Sequence, residues 1–283
     1  MAFLRNAGFP VLGLDTALDL LDKGTLPPCA LVITIDDGFA SLYSCAYPTL
    51  AKYAFPATIY VTTYYAEKKN PIFNIAVQYM FWKTRKDTID LTGLAASRSG
   101  IVSLATEADK ADCLWKIIDF GDTACTEEER VALCRSLGER LDVDYDSIAR
   151  SRMFTILTFE EIHELSKAGF DIQLHTHRHR FPPDRAIAMQ EIADNRRALE
   201  PLVTKPLVHF CYPSGIWTRE QWPWLSDMGI RSAVTCDFGY NYPKTSKYGL
   251  RRFGDSEGLS QIEFEAELYG FAQILRRMKS ALH

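Results

Sequence analysis

Short apolar runs separated by helix-length amphipathic stretches limit most strongly what this chain can fold into. "ALVITI" (30–35) is followed by Asp-Asp-Gly, and "ATIYVTT" (57–63), "FDIQL" (170–174), "LVHFCY" (207–212) and "RSAVTC" (231–236) repeat the pattern. Continuous runs of this kind read as parallel strands buried on both faces. Helices are expected between them. "SLYSCAYPTLAKYA" reads as one, and "TFEEIHELSKAG" as another, with Thr158 and Glu161 as a capping box and Gly169 as the stop. "AIAMQEIADNRRALEPL" (186–202) is a third. Thr218 with Gln221 opens a fourth, and Ser260 with Glu263 opens the last, which is predicted to run through Phe264, Leu268 and Phe271. The alternation predicts an α/β fold with a parallel sheet, open or closed into a barrel, and sites at the carboxyl ends of its strands.

Residues 66–156 break the alternation. "FNIAVQYMFWKT", "EADKADCLWKIIDF" and "TEEERVALCRSLGERL" all look helical, with no clear strand between them. This reads as a helical insertion in a single domain spanning 1–283. Composition then removes several classes of function. Net charge is −4, with no Lys/Arg cluster, which argues against a nucleic acid or a membrane surface as partner. No apolar run approaches the roughly 20 residues of a transmembrane helix. Seven cysteines are scattered without a C-x-x-C pair, as expected of free thiols in a reducing compartment. The first residues lack the apolar core of a secretion signal, so a cytoplasmic location is expected. Oligomeric state leaves no mark in the sequence.

Two clusters carry the chemistry. "HTHRH" follows the strand 170–174, and Pro182 and Pro183 rule against a helix there. A strand end turning into a tight loop can aim His175 and His179 inward; a charged loop with satisfied histidines is the alternative. "IDDG" follows the strand 30–35. Adjacent carboxylates beside a buried apolar run are costly unless something positive pairs them. Asp37-Gly38 alone would suit a plain turn. Taken together, two imidazoles and one carboxylate make a good ligand set for Zn2+ or a similar divalent ion. Three protein ligands leave positions open, the layout of a catalytic metal, and the spare carboxylate could act as a base.

"TIDDG", "HTHRH" and "FCYPSG" resemble, in order, the three motifs of the polysaccharide deacetylases (carbohydrate esterase family 4, the NodB homology domain), in the form found in exopolysaccharide clusters. The flanking "YPTLAKYAFPATIYVTT" and "LTFEEIHELSKAGFDIQLHTHRH" are similar too, so the likeness covers roughly residues 10 to 270. The resemblance implies a distorted (β/α)7-type barrel and removal of N-acetyl groups from the amino sugars of a glycan. It implies one divalent ion, Zn2+ as the expected species with Co2+, Ni2+ or Fe2+ as alternatives. Asp37, His175 and His179 would be the ligands, Asp36 the general base, and the Ser214 backbone N–H the oxyanion donor. Three departures stand out. The usual first strand is absent or cut short. Cys211 stands where many relatives carry the Arg that orients the base. No L-x-H stretch supplies a general acid, and the one late histidine is His283. "YGLRRFGDS" resembles the subgroup's L-P-R-[I/V] stretch, so Arg252 is expected to orient Asp36 in place of the missing Arg.

Other features are weighed more blandly. His177 is expected to face solvent, His209 to be packed in the core, and His163 to have no role. Tyr212, Pro213 and Trp217 are candidate substrate contacts, although packing explains the cluster of Trp217, Trp222 and Trp224 more readily. Two competing functions stay open: an amidohydrolase acting on a small cyclic amide or ureide, and a glycan-binding protein without activity.

Overall fold

The computed structural model describes residues 1–94 and 100–281. The chain divides into two compact units, one of Met1–Gly38, Leu42–Tyr64 and Phe159–His283, the other of Phe39–Ser41 and Tyr65–Thr158. Among the described residues there are eight strands: β1 (Ile33–Ile35), β2 (Ala57–Val61), β3 (Thr88–Asp90), β4 (Ile101–Ser103), β5 (Asp171–Leu174), β6 (His209–Cys211), β7 (Ser232–Phe238) and β8 (Leu250–Arg252).

In the first unit six strands form one curled parallel sheet in the order β1-β2-β5-β6-β7-β8, flanked by helices as in a distorted (β/α) barrel. β2, β5 and β6 are buried along their whole length, which is why they read as unbroken apolar runs. β1 departs from that expectation. Its three residues are only half-buried, because β1 is an edge strand whose ladder runs to β2 alone. Ahead of β1, among the described residues, the pairing amounts to a single parallel bridge between Val11 and Leu31. The registers set the strand ends side by side, Val61 against Leu174 and Cys211 against Val234. Asp36, His175 and Tyr212 therefore follow directly on the carboxyl ends of β1, β5 and β6.

The opposite end of the sheet is tied down by polar groups. His209 opens β6, buried, with Nδ1 2.7 Å from Ser232 Oγ at the start of β7 and Nε2 3.1 Å from Asp15 Oδ1. Asp15 belongs to the helix Leu14–Asp22 and also pairs with Arg231. The trio has the residue types of a hydrolytic triad, yet Ser232 is fully buried and no substrate can reach it. It fastens the first long helix to the sheet.

Two helices differ from the sequence reading. "SLYSCAYPTLAKYA" begins as a wide π-turn at Leu42–Ala46 before the α-helix Tyr47–Tyr53, since Pro48 has no N–H to continue a regular ladder. The last helix does not run through to Phe271. It ends at Leu268, Gly270 takes a left-handed φ of 84°, and a second helix begins at Phe271. Ser260 and Glu263 do form the capping box at its start.

The second unit has its own core. Helices Phe73–Lys83, Glu107–Ala124 and Glu127–Leu141 bury Val77, Met80, Ile117, Leu137 and Leu141 in one cluster. At about 1.5–3 kcal/mol per large buried side chain, that cluster supplies most of the unit's cohesion. Thr106 with Asp109 and Thr126 with Glu129 cap two of the helices. The region is not purely helical, because β3 and β4 pair as an antiparallel hairpin. Three-residue strands in which Ile89 alone is buried and Val102 half-buried leave too little alternation to be seen in the sequence.

Candidate active site

Asp37 sits where β1 turns away, with φ of 65°. Gly38 follows at φ of 79°, and a Cβ there would stand 3.1 Å from the Val61 side chain, so the Asp-Asp-Gly turn passes close against β2. Thr176 and His179 are also left-handed, at φ of 63° and 53°. Such backbone costs about 1–2 kcal/mol per L-residue and persists only where neighbours enforce it.

These turns bring three potential ligand atoms together. His175 Nε2 lies 2.9 Å and His179 Nε2 3.2 Å from Asp37 Oδ1, and the three ligand atoms lie within 4.8 Å of one another. His175 Nδ1 is 2.8 Å from the Cys211 carbonyl oxygen, which can only accept. Nδ1 therefore carries a hydrogen, which leaves Nε2 as the ring atom that can offer a lone pair to an ion shared with the Asp37 carboxylate. Donors that share one tetrahedral Zn2+ at about 2.0–2.2 Å stand about 3.3–3.6 Å apart, near the two separations from Asp37. The residues present fit a divalent ion. Burial pushes the Asp37 carboxyl up, but the His175 and His179 rings against it, where they carry protons, outweigh burial and hold the group far below the usual carboxylate range.

Asp36, one residue earlier, meets a different partner. Arg252 Nη1 donates to Oδ1 and Nη2 to Oδ2, each at 2.7 Å. Its Nε donates to the Thr235 carbonyl and Nη1 also to Thr34 Oγ1, so a side chain on β8 spans to β1, the opposite edge of the sheet. Nη2 lies 3.4 Å from Cys211 Sγ, so the small thiol in place of an Arg leaves room for Arg252 to arrive from a different strand. Burial pushes the Asp36 carboxyl up, and Arg252 more than offsets it, leaving the group below its ordinary value.

The "FCYPSG" segment supplies the third wall. Ser214 is the middle residue of a 3-10 turn, with φ of 57°, and its first-turn N–H has no acceptor within the turn. Gly215 is required at φ of 66°, because a Cβ would meet Cys236 Cβ at 2.6 Å. Tyr212 and Pro213 are buried, and the Tyr212 hydroxyl donates to the Tyr248 carbonyl, so these side chains have little surface to offer a substrate. Trp217 stacks between Tyr212 and Trp222, with ring centroids 5.9 and 5.6 Å away, and remains partly exposed.

The sequence reading misplaces His177. It is buried, only 8 % exposed, with Nδ1 2.8 Å from Thr63 Oγ1 and its carbonyl accepting from Thr62 Oγ1 and the Tyr64 N–H. The tight left-handed loop turns it inward between the two candidate ligands. Sequence reasoning also missed Asn195. It is fully buried on the helix Arg185–Leu199, accepts from the His175 N–H and donates to the Val61 carbonyl and Thr63 Oγ1. His163 Nδ1 lies 2.8 Å from the Leu202 carbonyl, and His283 lies outside the described residues.

The polysaccharide deacetylase family profile matches residues 147–233. No curated protein is similar to the chain in sequence. Among solved structures, the Streptococcus pyogenes deacetylase PplD in complex with acetate superimposes with a TM-score of 0.57 at 16 % identity, covering 94 % of this chain and 82 % of that one. IcaB from Ammonifex degensii gives 0.57 at 17 %, with 94 % and 85 % covered. The BpsB deacetylase domain from Bordetella bronchiseptica gives 0.52 at 16 %, with 89 % and 81 % covered. At these identities the likeness is one of fold. Residues 147–233, with the histidine loop and "FCYPSG" inside them, thus carry the polysaccharide deacetylase profile, and the fold around them is the one these solved structures share.

Proposed function

We propose that the chain is a metal-dependent hydrolase that removes N-acetyl groups from the amino sugars of a glycan. The observation that carries this is the pairing of two neighbouring carboxylates with different partners: Asp37 with His175 and His179, Asp36 with Arg252. A glycan-binding protein needs neither arrangement. Asp37, His175 and His179 would hold the ion, with Zn2+ the best match to two imidazoles and one carboxylate. When bound, such an ion activates water and polarises an amide carbonyl.

Asp36 then accepts a proton from the attacking water. The Arg252 fork takes one lone-pair site from each of its oxygens, leaving others for that proton. Because Asp36 is held below its ordinary value, it is ionised and ready at neutral pH. The Ser214 N–H is the donor for the developing oxyanion. The exposed part of Trp217 offers a face for a pyranose ring.

Acetate release from N-acetylated glucosamine oligosaccharides, run beside a panel of small cyclic ureides, tests the reading. It expects acetate from the oligosaccharides, abolished by chelation and restored by Zn2+ or Co2+. Turnover of a ureide without acetate release from any glycan would transfer the site to the small-amide hydrolases.

A further inference from the structure

Two arginines flank His179 in the loop His175-Thr-His-Arg-His-Arg180, and the carboxylate that meets them is buried. Glu191 lies on the helix Arg185–Leu199 and is 1 % exposed. Its Oε2 accepts from the Arg178 backbone N–H at 2.8 Å. Its Oε1 accepts from Arg178 Nη1 at 3.2 Å and from Arg180 Nε at 2.7 Å. Its own carbonyl accepts from the His177 N–H. One side chain thus gathers the residues on either side of His179, while Thr176 Oγ1 accepts from the Arg180 N–H to close the turn.

We infer that Glu191 is the positioning residue that presents His179 as a ligand, an inference resting on the reading of Asp37, His175 and His179 as a metal centre. The two candidate histidine ligands are supported separately. His175 follows directly on β5, with its ring on the Cys211 carbonyl and its N–H on Asn195. His179 has a left-handed backbone, and among the described residues its ring meets Asp37 and, edge-on at 4.9 Å, His175, with no carbonyl behind it. Its place depends on the loop. Two guanidinium groups beside a divalent cation would also weaken binding of that cation. Glu191 draws both toward a buried carboxylate of opposite sign, so the same contacts shape the loop and screen the site.

The test is the Zn2+ dissociation constant, measured by competition with a chromophoric chelator, together with the thermal midpoint of the metal-free protein. Glu191→Gln keeps the shape and one acceptor but loses the charge. It is expected to weaken Zn2+ binding by about 10–100-fold, the usual effect of removing a partner that orients a ligand. Arg178→Gln/Arg180→Gln opens the same clamp from its exposed side, with side chains 41 % and 58 % exposed, but also removes two positive charges beside the ion, so its loss of affinity is expected to be smaller than that of Glu191→Gln. Arg185→Gln, on the same helix but paired with Asp227, should leave the constant unchanged. A lower midpoint with an unchanged constant in Glu191→Gln would make Glu191 merely structural and overturn the inference. Wild-type protein that binds no Zn2+ would instead overturn the metal-centre reading on which it rests.

Discussion

Replacing Arg252 isolates the most heavily invested contact in the site. The fork makes two parallel bonds of 2.7 Å to Asp36, and the two side chains are only 18 % and 31 % exposed. Removing one member of a fully buried pair costs about 3–5 kcal/mol, chiefly because the other charge is left unpaired. Partial exposure reduces that, and about 2–3 kcal/mol is expected for Arg252→Met. The same substitution in an Asp36→Asn background should cost at least about 1 kcal/mol less, because a neutral amide left without its partner is cheaper to bury than a carboxylate. The assay is urea unfolding of all four proteins with metal removed, so that ion binding does not enter the comparison. An Arg252→Met cost below about 0.5 kcal/mol, or an equal cost in both backgrounds, would refute the claim that the fork exists to compensate Asp36.

Two further substitutions test the scaffold. A Cβ on Gly121 would fall 2.2 Å from the Phe73 ring, so Gly121→Ala should lower stability by about 1–3 kcal/mol in denaturant unfolding; an unchanged midpoint would mean that the helices Phe73–Lys83 and Glu107–Ala124 do not pack so closely. Burial holds His209 below its ordinary value of 6.5, against the opposing pull of Asp15 and Asp171. Its contribution is therefore complete above that value and is lost as pH falls through it toward the folded-state value. His209→Gln should flatten the pH dependence of urea unfolding as pH falls below about 6.5, and an unaltered slope would count against a neutral, buried ring.

The sheet and the site were legible in the sequence to different depths. β2, β5 and β6 are buried on both faces, so their composition announces them. The candidate ligands could be found because turn residues and charged side chains crowd the ends of such runs. β1 read as buried on both faces because apolar content reports affinity for a core, not position within a sheet; only the pairing order reveals that it is an edge. Arg252 was visible through family likeness alone, since 216 residues separate it from Asp36 and no local pattern links β8 to β1. His177 was lost because local sequence does not show the left-handed turns at Thr176 and His179 that direct it inward. Glu191 and Asn195 look like ordinary polar positions of an amphipathic helix, and their burial depends on what the loops above them require.

Asp36→Asn tests the division of labour between the two carboxylates most directly. The variant keeps the side-chain shape and leaves Asp37, His175 and His179 untouched. Metal content and acetate release from an N-acetylated oligosaccharide would be measured on the same preparation. The account predicts wild-type metal content with acetate release lowered at least about 100-fold, the low end for loss of a general base. Near-normal turnover with the metal bound would contradict it, and so would loss of the metal, which would make Asp36 a ligand.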